Sequence, residues 1–145
     1  MKTRSLKHPG PHETILVVDD EPIVRRLVRE MLTISGYGVV EASGGHEALE
    51  MVRGLRQPVH LLLTDIIMPR MDGHELARKL AHLHPETRVL FMSGYATDSN
   101  IKKVTAMGGQ CIPKPFSLPD LTKTVREILD APWANLFSKT RSTGE

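Results

Sequence analysis

Five short apolar runs, each followed by a stretch whose apolar residues have helical spacing, recur along this chain and restrict it to one class of fold. Strands alternating with helices are the signature of βαβ units on a parallel sheet. The first run, Ile15-Leu16-Val17-Val18, is apolar throughout, as a strand buried on both faces should be. It stops at Asp19-Asp20-Glu21-Pro22, and proline suits the first position of a helix, so a helix is expected to open there. Ile23, Val24, Leu27, Val28, Met31 and Leu32 then recur at spacings of three and four, which predicts one buried stripe, with Gly36 as its C-cap.

The same alternation continues. Tyr37–Ala42 reads as a second strand, and Ser43-Gly44-Gly45 turns the chain into a helix with Ala48, Leu49, Val52 and Leu55 on one face, ended by Pro58. Val59–Thr64 is a third strand with Asp65 at its C-terminal end. The segment 66–73 is a loop in which Asp72 caps a helix with Leu76, Leu80 and Leu83 as its stripe. Val89–Met92 is the fourth strand, ending at Ser93-Gly94. Residues 97–107 carry a thin stripe of Ile101, Val104 and Met107, closed by Gly108-Gly109. Cys111-Ile112 is a short fifth strand before Pro113-Lys114-Pro115. Ser117 and Asp120 have capping-box spacing ahead of a helix that buries Leu118, Leu121, Val125, Ile128 and Leu129. The expected fold is α/β, a doubly wound parallel sheet with helices on both faces. The expected organisation is a flexible tail over 1–12, one domain over 13–130, and a short tail over 131–145, whose Trp133, Leu136 and Phe137 are free to pack on the body or on a partner.

Charge matters only when it is divided along the chain. The formal net charge is +2, but residues 1–12 carry +3 and residues 131–145 carry +1, leaving the body at −2. That body offers no broad positive field for nucleic acid, and no helix-turn-helix follows it. No run approaches the roughly 18 apolar residues of a membrane span, and Lys2, Arg4 and Lys7 precede no apolar signal stretch. One cysteine, Cys111, cannot form an internal disulfide. A cytoplasmic location, no direct nucleic-acid contact and no membrane contact are therefore expected.

In an open parallel sheet, ligands bind beyond the carboxyl ends of the strands. Strand one ends at Asp19-Asp20, strand three at Asp65, strand four at Ser93, and strand five shortly before Lys114. Taken singly, these are a helix-capping pair, two turn residues and a surface charge. Together they deliver three carboxylates, a hydroxyl and an ammonium to one rim. Crowded carboxylates must be neutralised by protons, by a cation such as Mg²⁺, or by Lys114 pairing with Asp65. A carboxylate can also attack phosphorus to give an acyl phosphate, with Mg²⁺, Lys114 and Ser93 each taking one phosphoryl oxygen and Gly94 leaving room for the group. The seven histidines lack the companions of a zinc site. Cys111 reads as a small buried hydrophobe rather than a nucleophile.

Val17-Val18-Asp19-Asp20-Glu21, the run from Asp65 through Met68-Pro69 to Met71-Asp72-Gly73, Ser93-Gly94 and Lys114-Pro115-Phe116 resemble the four signature blocks of response-regulator receiver domains, over residues 13–130. The blocks stand in the family's order, with Ser93 and Lys114 lying 28 and 49 residues after Asp65. The resemblance implies a flavodoxin-like (βα)5 fold with strand order 2-1-3-4-5. It implies Asp65 as phosphoacceptor, with Ser93 and Lys114 as the catalytic residues that hold the phosphoryl oxygens. The implied metal is Mg²⁺, held by Asp20, Asp65 and the backbone carbonyl of Ile67, with Asp19 assisting through water. It further implies a cis Lys114–Pro115 bond. The implied partners are a histidine kinase or phosphotransfer protein, and a downstream effector or second copy engaged through the fourth helix, fifth strand and fifth helix. Cys111 stands where many receivers carry an inward-turning aromatic, so aromatic switching is not expected there; Tyr95 is a candidate for the responsive surface. The run Phe91–Tyr95 resembles receivers fused to hybrid sensor kinases.

Such a chain is not expected to turn over a separate substrate. Two other functions share its residues. A phosphohydrolase working through an aspartyl-phosphate would need the second aspartate of haloacid-dehalogenase-like enzymes, where Ile67 stands. A receiver-like module that signals without phosphate would not need the intact acidic set.

Overall fold

The computed structural model describes residues 13–94 and 98–132; the readings of Tyr95, of Trp133, Leu136 and Phe137, and of the tail over 1–12 lie outside them. Five strands, β1 (Thr14–Val18), β2 (Gly38–Ala42), β3 (Leu61–Asp65), β4 (Arg88–Ser93) and β5 (Gln110–Pro113), alternate with five helices. The helices are α1 (Pro22–Ile34), α2 (Gly45–Gly54), α3 (Gly73–Leu83), α4 (Asp98–Ala106) and α5 (Leu118–Asp130). The strands form one sheet in the order β2-β1-β3-β4-β5, the flavodoxin-like order expected, and every pairing is parallel.

The apolar strands feed two cores at once. Side chains alternate across a strand, so Leu16 and Val18 of β1 join Leu62, Phe91, Val52, Leu76, Leu80 and Val104 on the face covered by α2, α3 and α4. Ile15 and Val17 join Leu61, Leu63, Val28, Leu32, Leu121 and Val125 on the face covered by α1 and α5. This double burial places β1 and β3 side by side at the centre of the sheet, and it carries Asp19 and Asp65 to neighbouring positions on its rim.

Local signals set the element ends. Gly36 takes a φ of 99° after α1, its N–H donating to the Thr33 carbonyl while the Tyr37 N–H donates to that of Leu32. This is a Schellman cap, in which glycine avoids the steric penalty of left-handed backbone. Tyr37 thus belongs to the cap, and β2 begins one residue later than expected. Asp72 and Ser117 cap α3 and α5 through their side-chain oxygens, which accept from the N–H groups of Glu75 and Asp120. His60 precedes β3, and its Nδ1 accepts the Thr14 N–H at 3.0 Å, a structural use for one of the seven histidines. The Lys114–Pro115 bond is cis.

The expected stripe on α1 is corrected by the structure. Val28 and Leu32 are buried, with Val24 and Met31 packed at their edge, but Ile23 is 82% and Leu27 52% exposed. At roughly 100° per residue, Ile23, Leu27 and Ile34 fall together on a second face, well round the helix from Val28 and Leu32. Spacings of three and four run through both faces, so the pattern merges two stripes into one. Leu83 on α3 is likewise exposed, and Ala77 completes that buried stripe. Leu55, Ile101, Met107 and Leu118 are only half-buried. The two α1 faces carry different energies. Leu32→Ala is expected to lower stability by about 2–5 kcal/mol, whereas Ile23→Ser should change it by less than about 0.5 kcal/mol. Equal losses in urea melts would contradict this partition.

Candidate functional site

β1 and β3 deliver the acidic residues directly. Asp19 follows β1, and its N–H donates to the Ala42 carbonyl at 3.3 Å, continuing the sheet one residue beyond the strand. Its carboxylate is fully buried and doubly engaged: Oδ1 accepts the Glu21 N–H at 2.9 Å and Oδ2 accepts from Lys114 Nζ at 2.9 Å. Asp65, the last residue of β3, is 8% exposed, and its Oδ2 accepts from the same ammonium at 3.3 Å. Asp20 is exposed beside them. One carboxylate oxygen from each of Asp19, Asp20 and Asp65 lies within 4.8 Å of the others. Among the described residues the histidines join no such group.

Lys114 therefore serves two carboxylates, and the shorter contact is to Asp19 rather than to Asp65, the partner expected from the sequence. Ser93 ends β4 one residue beyond Met92, the register partner of Asp65, and its carbonyl accepts the Lys114 N–H at 2.9 Å. That bond ties the end of β4 to the lysine. Gly94 also borders the lysine. A Cβ on it would lie 3.1 Å from Lys114 Cδ, so the space accommodates the lysine stem. Ile67 follows in the loop after Asp65, with its side chain 43% exposed while Ile66, Met68 and Met71 anchor the loop in the core.

Two further contacts shape the site. Gly73 opens α3 against the strand end, where a Cβ would lie 2.1 Å from the Asp65 carbonyl oxygen, and its N–H donates to the Ile66 carbonyl at 2.8 Å. Arg25 of α1 reaches back so that Nη1 donates to the Asp19 carbonyl at 2.8 Å. Its Nε also pairs with Glu41 Oε1 at 3.3 Å.

Burial is the main reason the Asp65 carboxyl titrates at about 6 instead of 3.8; Lys114 pulls it down, and the Asp19 charge pushes it up again. Burial also pulls the Lys114 ammonium down, but its hydrogen bond to Asp19 and the Asp65 charge outweigh this and hold it above its usual value. Cys111 is half-buried rather than buried as expected, and burial raises its thiol, which leaves little thiolate. The donor set fits Mg²⁺. Three clustered carboxylates supply hard oxygen ligands, and the exposed Asp20 leaves one side open to the waters that this ion retains.

The family model for the response regulator receiver domain matches residues 15–126. The chain belongs to this family. It is a receiver domain of two-component systems. Over 118 residues it is 42% identical to the sensor kinase CckA of Brucella abortus (strain 2308), a match covering 81% of this chain and 12% of that protein. It is 35% identical to the response regulator receiver protein CpdR of the same organism, over 81% of this chain and 97% of the relative. The solved receiver domain from the hybrid histidine kinase CckA superposes with a TM-score of 0.68 at 34% identity, covering 81% of this receiver and 99% of that chain. The expected likeness to hybrid-kinase receivers thus has a counterpart. The chain spans only a small part of the sensor kinase and nearly all of CpdR.

The raised Asp65 carboxyl has a consequence for stability. A carboxyl that holds its proton more tightly when folded takes up a proton on folding between about pH 4 and about 6, so stability falls as pH rises through that window and the loss is complete above it. In metal-free buffer near pH 8, Asp65→Asn is expected to exceed the wild type by about 1–3 kcal/mol, and the advantage should shrink toward pH 4. Denaturant melts across this range provide the check; a variant no more stable at high pH would contradict the cost assigned to the buried charge.

Proposed function

We propose that this receiver accepts a phosphoryl group on Asp65 from a phosphohistidine of a histidine kinase or phosphotransfer protein, and that Mg²⁺ occupies the same site. The observation that carries the proposal is the meeting of three carboxylates within 4.8 Å of one another, two of them sharing one lysine. An Asp65 carboxylate oxygen attacks phosphorus, the N–P bond of the donor breaks, and its electron pair returns to the imidazole nitrogen. Lys114 is placed to follow the charge, because its ammonium already lies 3.3 Å from Asp65 Oδ2. Ser93, held next to Lys114 through its carbonyl, offers a hydroxyl to a second phosphoryl oxygen. Mg²⁺ held by Asp20, Asp65 and the Ile67 carbonyl, with Asp19 assisting through water, would supply positive charge for a third oxygen.

The donor approaches over the exposed face of α1. Ile23 and Leu27 sit within two turns of Asp20 and offer apolar area that the domain itself does not use. Phosphorylation draws Ser93 toward the new group and shifts the population of the α4-β5-α5 surface, through which an effector or a second copy binds. No turnover of a separate substrate belongs to this scheme. No helix among the described residues is long and apolar enough to cross a membrane.

The test is intact-mass measurement after treatment with a small acyl phosphate. The wild type should gain one phosphoryl group with Mg²⁺ and none with a chelator, and Asp65→Asn should gain none. Labelling of the Asn variant would defeat the assignment. Many turnovers on phosphate esters would instead indicate a phosphohydrolase, and failure to take up phosphate would indicate a phosphate-independent module. The docking face is tested separately. Ile23→Asp with Leu27→Asp should slow transfer from a phosphorylated donor protein at least about tenfold, equivalent to 1.4 kcal/mol, while leaving labelling by the small donor unchanged. Equal loss with both donors would remove α1 from the interface.

A further inference from the structure

We infer that Arg25 is a positioning residue for the metal-binding rim, acting through the backbone of Asp19; the inference rests on the reading that this rim holds Mg²⁺. Every polar group of Asp19 is engaged: its N–H with the Ala42 carbonyl, Oδ1 with the Glu21 N–H, Oδ2 with Lys114, and its carbonyl with Arg25 Nη1 at 2.8 Å. Asp20 is different. No hydrogen bond between its side chain and another side chain or backbone group is found among the described residues, so the chain on either side must set where it points.

The Asp19 carbonyl and the Asp20 N–H share one planar peptide unit. Fixing the carbonyl oxygen fixes the plane, and with it the direction from which the Asp20 side chain leaves the backbone. Arg25 does the fixing from a mostly buried position, its side chain 19% exposed. The guanidinium is itself held from β2, because Nε donates to Glu41 Oε1 at 3.3 Å while Glu41 Oε2 meets Arg29 Nε at 2.9 Å. The relay therefore runs from β2 through Glu41 and Arg25 to the peptide between the two aspartates. Glu41 is shared between Arg25 and Arg29, so orientation and charge at Arg25 have to be separated by substitution. A guanidinium fork can hold two acceptors in one plane; the single ammonium of lysine cannot reproduce it.

Calorimetric Mg²⁺ titration of the intact chain tests this. Groups that orient metal ligands typically change affinity by tenfold or more when removed. Arg25→Gln and Arg25→Lys should both weaken Mg²⁺ binding roughly tenfold, and Glu41→Gln severalfold. Arg29→Gln, which touches Glu41 but not Asp19, should stay within about twofold of the wild type. Labelling by a small acyl phosphate should recover in Arg25→Gln at saturating Mg²⁺, shifting the Mg²⁺ dependence and not the limiting rate. Wild-type affinity in Arg25→Lys would show that charge suffices, and wild-type affinity in a folded Arg25→Gln would remove the relay; either overturns the inference. If Arg25→Gln fails to fold, Glu41→Gln decides, and unchanged affinity there overturns it. A wild type that binds no Mg²⁺ overturns the metal reading on which the relay depends.

Discussion

One ammonium between two buried carboxylates is the interaction on which the rest of this rim depends. Asp19 and Asp65 lie on adjacent central strands, and without Lys114 their charges would face each other in a largely water-free setting. Burial of unpaired charge costs more than most domains have to spare. The compensation is incomplete: burial keeps the Asp65 carboxyl well above its ordinary range, although Lys114 draws it down. A site left short of positive charge is suited to receive a cation, which is the physical content of the proposed Mg²⁺ requirement.

The sheet was largely legible because double-faced strands have a distinctive sequence form. Ile15–Val18 and Leu61–Leu63 carry no polar alternation, which only a central parallel strand tolerates. Helix faces were less legible. Six apolar residues of α1 satisfy one spacing rule, yet the buried set is centred on Val28 and Leu32, since the rule fixes angles around the helix and not the direction of the core. Leu83, the last residue of α3, also satisfies the spacing yet stays exposed, while Ala77 joins the buried set.

At the rim, the meeting of Asp19, Asp20 and Asp65 was legible because strand ends define a shared edge. Their pairing with Lys114 was not. Which carboxylate wins the lysine is decided by a contact across 95 residues, and no local pattern encodes it. Arg25 was hidden for another reason: it binds a carbonyl, and every residue has one. Gly73 read as a turn residue, whereas its small size matters through the Asp65 oxygen it faces.

That close approach has a mechanical consequence. On one flank of Asp65, α3 abuts the main chain with no room for even a methyl group, and Leu76, Ala77 and Leu80 bolt the helix to the sheet. On the same face of the sheet, α4 is held by the fully buried Val104, with Ile101 packed at its edge. The strand end at Asp65 is thus braced directly by a helix, and any side chain at position 73 would have to push one of the two out of place.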